Sequence, residues 1–65
     1  MQLHIDTRMI RNQGRRAYRA CVLDRDSLEE IYTTPRSYPT AQDASDVAWD
    51  WVQENYPFAS VTTED

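Results

Sequence analysis

An α+β fold in a single small domain, residues 1–65, is what the sequence predicts: a meander of three antiparallel strands, one helix packed on one face, and a candidate short fourth strand at residues 58–63, in the order β-β-β-α-β. Three observations carry this expectation. Apolar and polar residues alternate from residue 2 onward, the period of a half-buried strand. The only glycine, Gly14, falls between the first two such runs, where a tight hairpin needs positive φ. Residues 38–57, "YPTAQDASDVAWDWVQENYP", form a helical pattern fenced by two prolines.

The first strand is "QLHIDTRMI", with Leu3, Ile5, Thr7 and Met9 on one side and His4, Asp6 and Arg8 on the other. "RAYRACVL" is the second, and after the turn cluster "DRDS" comes "LEEIYTT", ended by Pro35. Register follows from the turns, because a slip of one residue exchanges the faces of a strand. With Gln13 and Gly14 as the first turn, Asn12 faces Arg15; with "DRDS" as the second, Leu23 faces Leu28. One face then collects Leu3, Ile5, Thr7, Met9, Tyr18, Ala20, Val22 and Ile31, nearly all apolar, and the other holds His4, Asp6, Arg8, Arg19, Cys21, Glu30 and Tyr32.

For the helix, Thr40 is the expected N-cap, with Asp43 in the capping-box position and Pro39 just outside. At about 100° per residue with Ala44 at zero, Ala48 falls at about 40°, Val52 at about 80° and Trp51 at about 340°, so Trp51 is the expected core tryptophan. Trp49 falls at about 140°, beside Tyr56 at about 120°, on the margin of the apolar stripe. Two readings stay open for that margin. Either the C-terminal segment folds back and covers it with Phe58 and Val61, or Trp49 and Tyr56 form an exposed aromatic patch.

Composition is that of a folded chain, 40% hydrophobic and 28% charged, and a domain this small buries only about 60% of the surface its unfolded chain exposes. A thin core is expected, in a monomer or a homodimer. No apolar run long enough for a membrane span and no leader-like start is seen, so the expected location is cytoplasmic, away from membranes. The single cysteine, Cys21, agrees with a reducing compartment. Charge is segregated: residues 1–23 hold Arg8, Arg11, Arg15, Arg16 and Arg19 against Asp6, a net of +4, while residues 24–65 hold ten acids against Arg25 and Arg36, a net of −8. Every cation is arginine, which fits planar anion recognition and equally a GC-rich coding bias.

Enzyme chemistry finds no foothold. One histidine and one cysteine do not make a metal site, one glycine does not make a phosphate loop, and no cofactor is expected. His4 and Asp6 share a strand face without a nucleophile beside them, and Asp6 opposite Cys21 would raise the thiol's pKa. The one arrangement that asks for a reason is Arg8 directly opposite Arg19, with Tyr32 beside Arg19, because facing like charges are unfavourable in a sheet. That row suits an acidic protein surface, a phosphate backbone or stacked bases. The plainer reading is a solvated lattice in which Asp6, Glu29 and Glu30 pair with the arginines.

Strands followed by "PTAQDASDVAWDWV", with alanines four residues apart, resemble the small hairpin-plus-helix domains of the YegP-like bacterial family over roughly residues 16–56. The strand, strand, helix, strand plan is also similar to the small coliphage inhibitors of host RNA polymerase. That family has arginines on the strand after its helix, where this chain reads "VTTED", so no functional residue carries over from either resemblance. The function expected is a non-enzymatic protein-binding accessory or regulatory module of the phage-encoded kind, acting through Arg8, Arg19 and Tyr32 or through Trp49 and Tyr56. The alternative is a nucleic-acid binder using the arginine-rich first hairpin.

Overall fold

The computed structural model describes residues 1–63. In chain order the elements are β1 (Gln2–Asn12), β2 (Arg15–Asp24), β3 (Glu30–Thr33), α1 (Ala41–Asn55) and β4 (Ser60–Thr63). They form one four-stranded sheet in the order β3-β2-β1-β4, with the helix on one face. β1, β2 and β3 are the expected antiparallel meander, and β4 joins the far edge parallel to β1, pairing Gln2 with Ser60 and Ile5 with Thr63. The expected β-β-β-α-β plan is therefore the observed one, as a mixed sheet.

The first hairpin follows the predicted register, with Asn12 opposite Arg15, Arg8 opposite Arg19 and Ile5 opposite Val22. Gln13 and Gly14 take φ of 55° and 78°, the two positive values of the turn that matches the right-handed twist of its strands. The second turn departs from expectation. Asp24 N–H donates to Glu29 O and Leu28 N–H to Asp24 O, so the loop is wider than "DRDS", and Leu23 faces Glu30 instead of Leu28. Glu30 stays on the predicted face because that shift is of two residues. Ile31 is then the extra residue of a bulge, after which Val22 pairs with Tyr32 and Cys21 with Thr33. One inserted residue reverses the faces of everything after it, so Tyr32 is carried to the helix side, away from Arg19.

Leu3, Ile5, Ala20 and Val22 of the sheet and Ala44, Ala48 and Val52 of the helix make the fully buried core. Thr40 caps the helix as predicted, its hydroxyl accepting from Asp43 N–H at 3.1 Å. The buried helix residues Ala44, Ala48 and Val52 centre on Ala48, so Trp51, expected in the core, falls on the margin instead. Trp51 and Trp49 are both half-buried, and they flank the seam on opposite sides. Trp51 lies over the β3 side, stacked on Tyr32 with ring centres 4.4 Å apart and planes 9° from parallel. Trp49 borders Ile5 and Thr7 of β1 and Thr63 of β4. Tyr56 does not join Trp49: the helix ends at Asn55, Tyr56 is its C-cap, and its ring sits 5.6 Å from that of Trp51. Of the residues expected to cover the Trp49 margin, Val61 packs against the core, but Phe58 is 98% exposed and covers nothing.

Eleven residues at about 3.4 Å each give β1 a length of about 37 Å, which accounts for the 38 Å long axis of the molecule. The core occupies one end of that axis. At the other, Met9 is 54% exposed and every residue from Arg11 to Arg16 is solvent-facing, so the hairpin tip stands out as an arm.

Leu28 takes φ of 61° while its side chain is 76% exposed. A left-handed backbone is unfavourable for a branched residue and free for glycine, and here no buried contact would be lost. Leu28→Gly is expected to raise stability modestly, relief of a left-handed cost of about 1 to 2 kcal/mol exceeding the roughly 0.5 to 1 kcal/mol of chain entropy that glycine adds, read as a higher urea midpoint at unchanged slope; a lower midpoint would show that the leucine makes contacts that outweigh its backbone.

Candidate functional site

The sheet face away from the helix carries the arginine row. Arg8 and Arg19 are direct cross-strand partners, Arg15 lies beyond them opposite Asn12, and Arg11 and Arg16 face each other on the helix side of the same arm. All five arginines are exposed, and among the described residues none has a carboxylate within 4.0 Å of its guanidinium. The expected lattice with Asp6, Glu29 and Glu30 is thus not formed. Arg19 Nη2 instead makes a long bond, 3.4 Å, to Pro35 O, and the Glu30 carboxylate accepts from the Thr33 hydroxyl.

A cleft of about 200 Å³ opens between these side chains, lined by Arg8, Ile10, Arg19, Ala20, Cys21, Glu30 and Thr33. It combines two facing guanidinium groups at its mouth with apolar walls, and no aromatic ring lines it. Tyr32, expected there, lies under the helix margin against Trp51. Thr33 reaches the open face opposite Cys21, so no β3 residue stands beside Arg19, and Ile10 supplies apolar wall that the charge pattern did not point to. Ile10 was legible in principle, being the apolar residue two beyond Arg8 on the same face.

Cys21 forms the floor and is 2% exposed. Burial pushes its thiol pKa up; Asp6 and Glu30 add to the rise, and Arg8 opposes it. The thiol is therefore held neutral, as poor a nucleophile as the sequence indicated. Among the described residues no three histidine, cysteine or carboxylate groups converge to hold a metal ion, and no helix is long and apolar enough to cross a membrane.

A second concavity of about 250 Å³ lies on the helix side, lined by Ile5, Thr7, Ala41, Gln42, Ser45, Trp49 and Thr63. It holds Trp49 but not Tyr56, so the two aromatic residues expected to act as one patch belong to different places. Of the residues predicted to bind a partner, the fold brings together Arg8 with Arg19, and Tyr32 with Tyr56 around Trp51, and leaves Trp49 alone beside the end of β4. No family model matches the chain, and no curated protein or solved structure matches it either.

Two outcomes test this geometry. Parallel stacking of Tyr32 on Trp51 should couple them: in a double-mutant cycle of Tyr32→Ala and Trp51→Ala the interaction energy should be about 0.5 to 1.5 kcal/mol, and additive melts would place Tyr32 back on the open face. Cys21 sets a pH slope. Its folded pKa lies above that of the unfolded chain, about 8.5, so between the two the unfolded state has lost a proton that the folded state keeps. Stability should be full below that unfolded value and fall as pH rises through it, and Cys21→Ala should flatten this part of the profile in urea titrations from neutral to alkaline pH.

Proposed function

We propose that this chain is a non-enzymatic protein-binding module, of the accessory or regulatory kind, whose arginine arm takes an acidic surface of a partner protein. The observation that carries the reading is the facing pair Arg8 and Arg19, exposed over a cleft walled by Ile10, Ala20 and Cys21, in which Glu30 is held by the Thr33 hydroxyl and no carboxylate among the described residues comes within 4.0 Å of either guanidinium. Facing like charges cost the free protein about 0.2 to 1 kcal/mol, and an aspartate or glutamate inserted between them turns that cost into two charge-assisted bonds. Apolar walls at Ile10 and Cys21 would lower the local dielectric and strengthen both.

Nucleic acid is the weaker ligand for the same face. Sequence-tolerant binding of single strands relies on aromatic platforms beside the cations, and the cleft offers none. The five arginines are also split between the two faces of the arm, so no single surface presents a long track of phosphate contacts. The strongly acidic remainder of the chain would orient an approaching protein through its own field.

The discriminating variant is Arg8→Glu combined with Arg19→Glu, which alters two exposed side chains and should leave the melting curve close to that of the parent. Affinity capture from the native host with the parent protein should yield a partner that the variant loses, while fluorescence anisotropy with generic single- and double-stranded oligonucleotides stays flat at moderate salt. Micromolar, salt-sensitive oligonucleotide binding that vanishes in the variant would instead establish a nucleic-acid binder, and an unchanged partner in the variant would remove this face from the function.

A further inference from the structure

The hairpin register decides where each backbone group of β1 points. A two-residue turn makes Asn12 and Arg15 a hydrogen-bonded pair, and such pairs recur at every second residue. Ile10 with Ala17 and Arg8 with Arg19 therefore exchange bonds inside the hairpin, while Thr7, Met9 and Arg11 direct their N–H and C=O groups to the outer edge of β1. The same rule sends Tyr18 and Ala20 of β2 outward on the other side. There the chain seals them: Tyr18 exchanges two bonds with Tyr38, at 2.7 and 2.8 Å, and Ala20 bonds Thr34 through its C=O and its N–H. On the β1 side the described pairing with β4 runs from Gln2 with Ser60 to Ile5 with Thr63. Among the described residues Thr7, Met9 and Arg11 have no strand beside them.

We infer that this open edge of β1 accepts an extended, acidic segment of a partner protein as an added strand that prolongs the place held by β4. The inference rests on the protein-binding reading above and gives it a second contact. Three structural features select this occupant. The concavity lined by Thr7, Gln42, Ser45 and Trp49 lies at the same edge, on the helix side, and so has room for a side chain from a strand laid beside Thr7. On the opposite face the neighbouring side chain of that strand comes beside Arg8, where a carboxylate relieves the Arg8–Arg19 pair.

The third feature excludes a second copy of the same edge. In an antiparallel pairing of two β1 edges the outward residues 7, 9 and 11 must pair with one another. The Thr7–Thr7 register, which would set Arg8 opposite Asp6, also sets Met9 at Ile5, where β4 already pairs; every other register sets Arg8 against Arg8, or Arg11 against Arg11, directly or at the diagonal position, where like charges repel. The arginines thus guard the edge against self-association, a common use of charge on exposed strands, and at the same time favour an acidic strand.

The experiment uses the full chain labelled with ¹⁵N and a capped synthetic peptide, Glu-Val-Glu-Val-Glu-Val-Glu, whose alternation places valines on one face and glutamates on the other. Saturable amide shifts should centre on Thr7, Met9 and Arg11. Strand addition also needs the peptide's own amides: of two isomers, one N-methylated at the three valines and one at the last three glutamates, one should bind at least tenfold more weakly than the parent and the other should keep its affinity, the loser reporting whether the strand is antiparallel or parallel. Equal binding of both isomers, with shifts confined to the arginine side-chain N–H groups, would overturn strand addition and leave the acid-binding reading standing. Absence of any saturable shift would also overturn it, the acidic-partner reading being judged separately by capture with the double arginine variant.

Discussion

A narrow seam of small residues governs the architecture. Ala44, Ala48 and Val52, four residues apart along α1, meet Leu3, Ile5, Ala20 and Val22, and all seven are buried. Small side chains let the helix axis come close to the sheet, and at that separation no indole fits beneath it. Both tryptophans are displaced to the margins, where each widens the roof: Trp51 towards β3 through Tyr32, Trp49 towards β1 and β4. The arrangement stretches a thin core sideways, which a chain of 65 residues needs because so little of its surface can be wholly buried.

The helix cannot stretch the core lengthwise. Fifteen residues at about 1.5 Å make a helix of about 22 Å, set on a hairpin that fills a 38 Å axis. The remainder of β1 and β2 is roofless on both faces, and its composition follows from that. An apolar arm would tend to associate with itself, and arginines at positions 8, 11, 15, 16 and 19 oppose that by mutual repulsion. The charge that solves a folding problem is also the surface available for recognition.

Legibility in the sequence followed the strictness of the local rule. The first hairpin was readable to the residue pair because alternation on both strands and one Gln-Gly turn admit a single register. Thr40 was readable because a cap is a local hydrogen bond. Tyr32 was not, because one bulged residue, Ile31, inverts every face after it and leaves no compositional mark. The helix phase was misjudged for a different reason: hydrophobicity puts the largest apolar side chain at the centre, whereas close packing against a sheet puts the smallest there. Tyr56 was placed on a helical wheel that the helix does not reach, since Pro57 and the Tyr56 cap end it first. The pairing that most bears on function, Arg8 with Arg19, was visible from sequence; the aromatic expected to complete it was not there.

That missing aromatic changes the weight of the charge segregation. Over a 38 Å axis the tip of the arm lies several screening lengths, each about 8 Å at physiological salt, from the acidic end of the molecule, so the net charge of −4 does not neutralise it. Overall acidity alone is therefore a poor argument against nucleic acid. The stronger argument is geometric. With Tyr32 turned under Trp51, the arginine face keeps its cations and its apolar walls but loses the ring on which a base would stack. Two guanidinium groups bind a carboxylate or a phosphate oxygen alike, so it is the lost stacking ring, not the sign of the charge, that tilts the proposed reading towards a protein carboxylate.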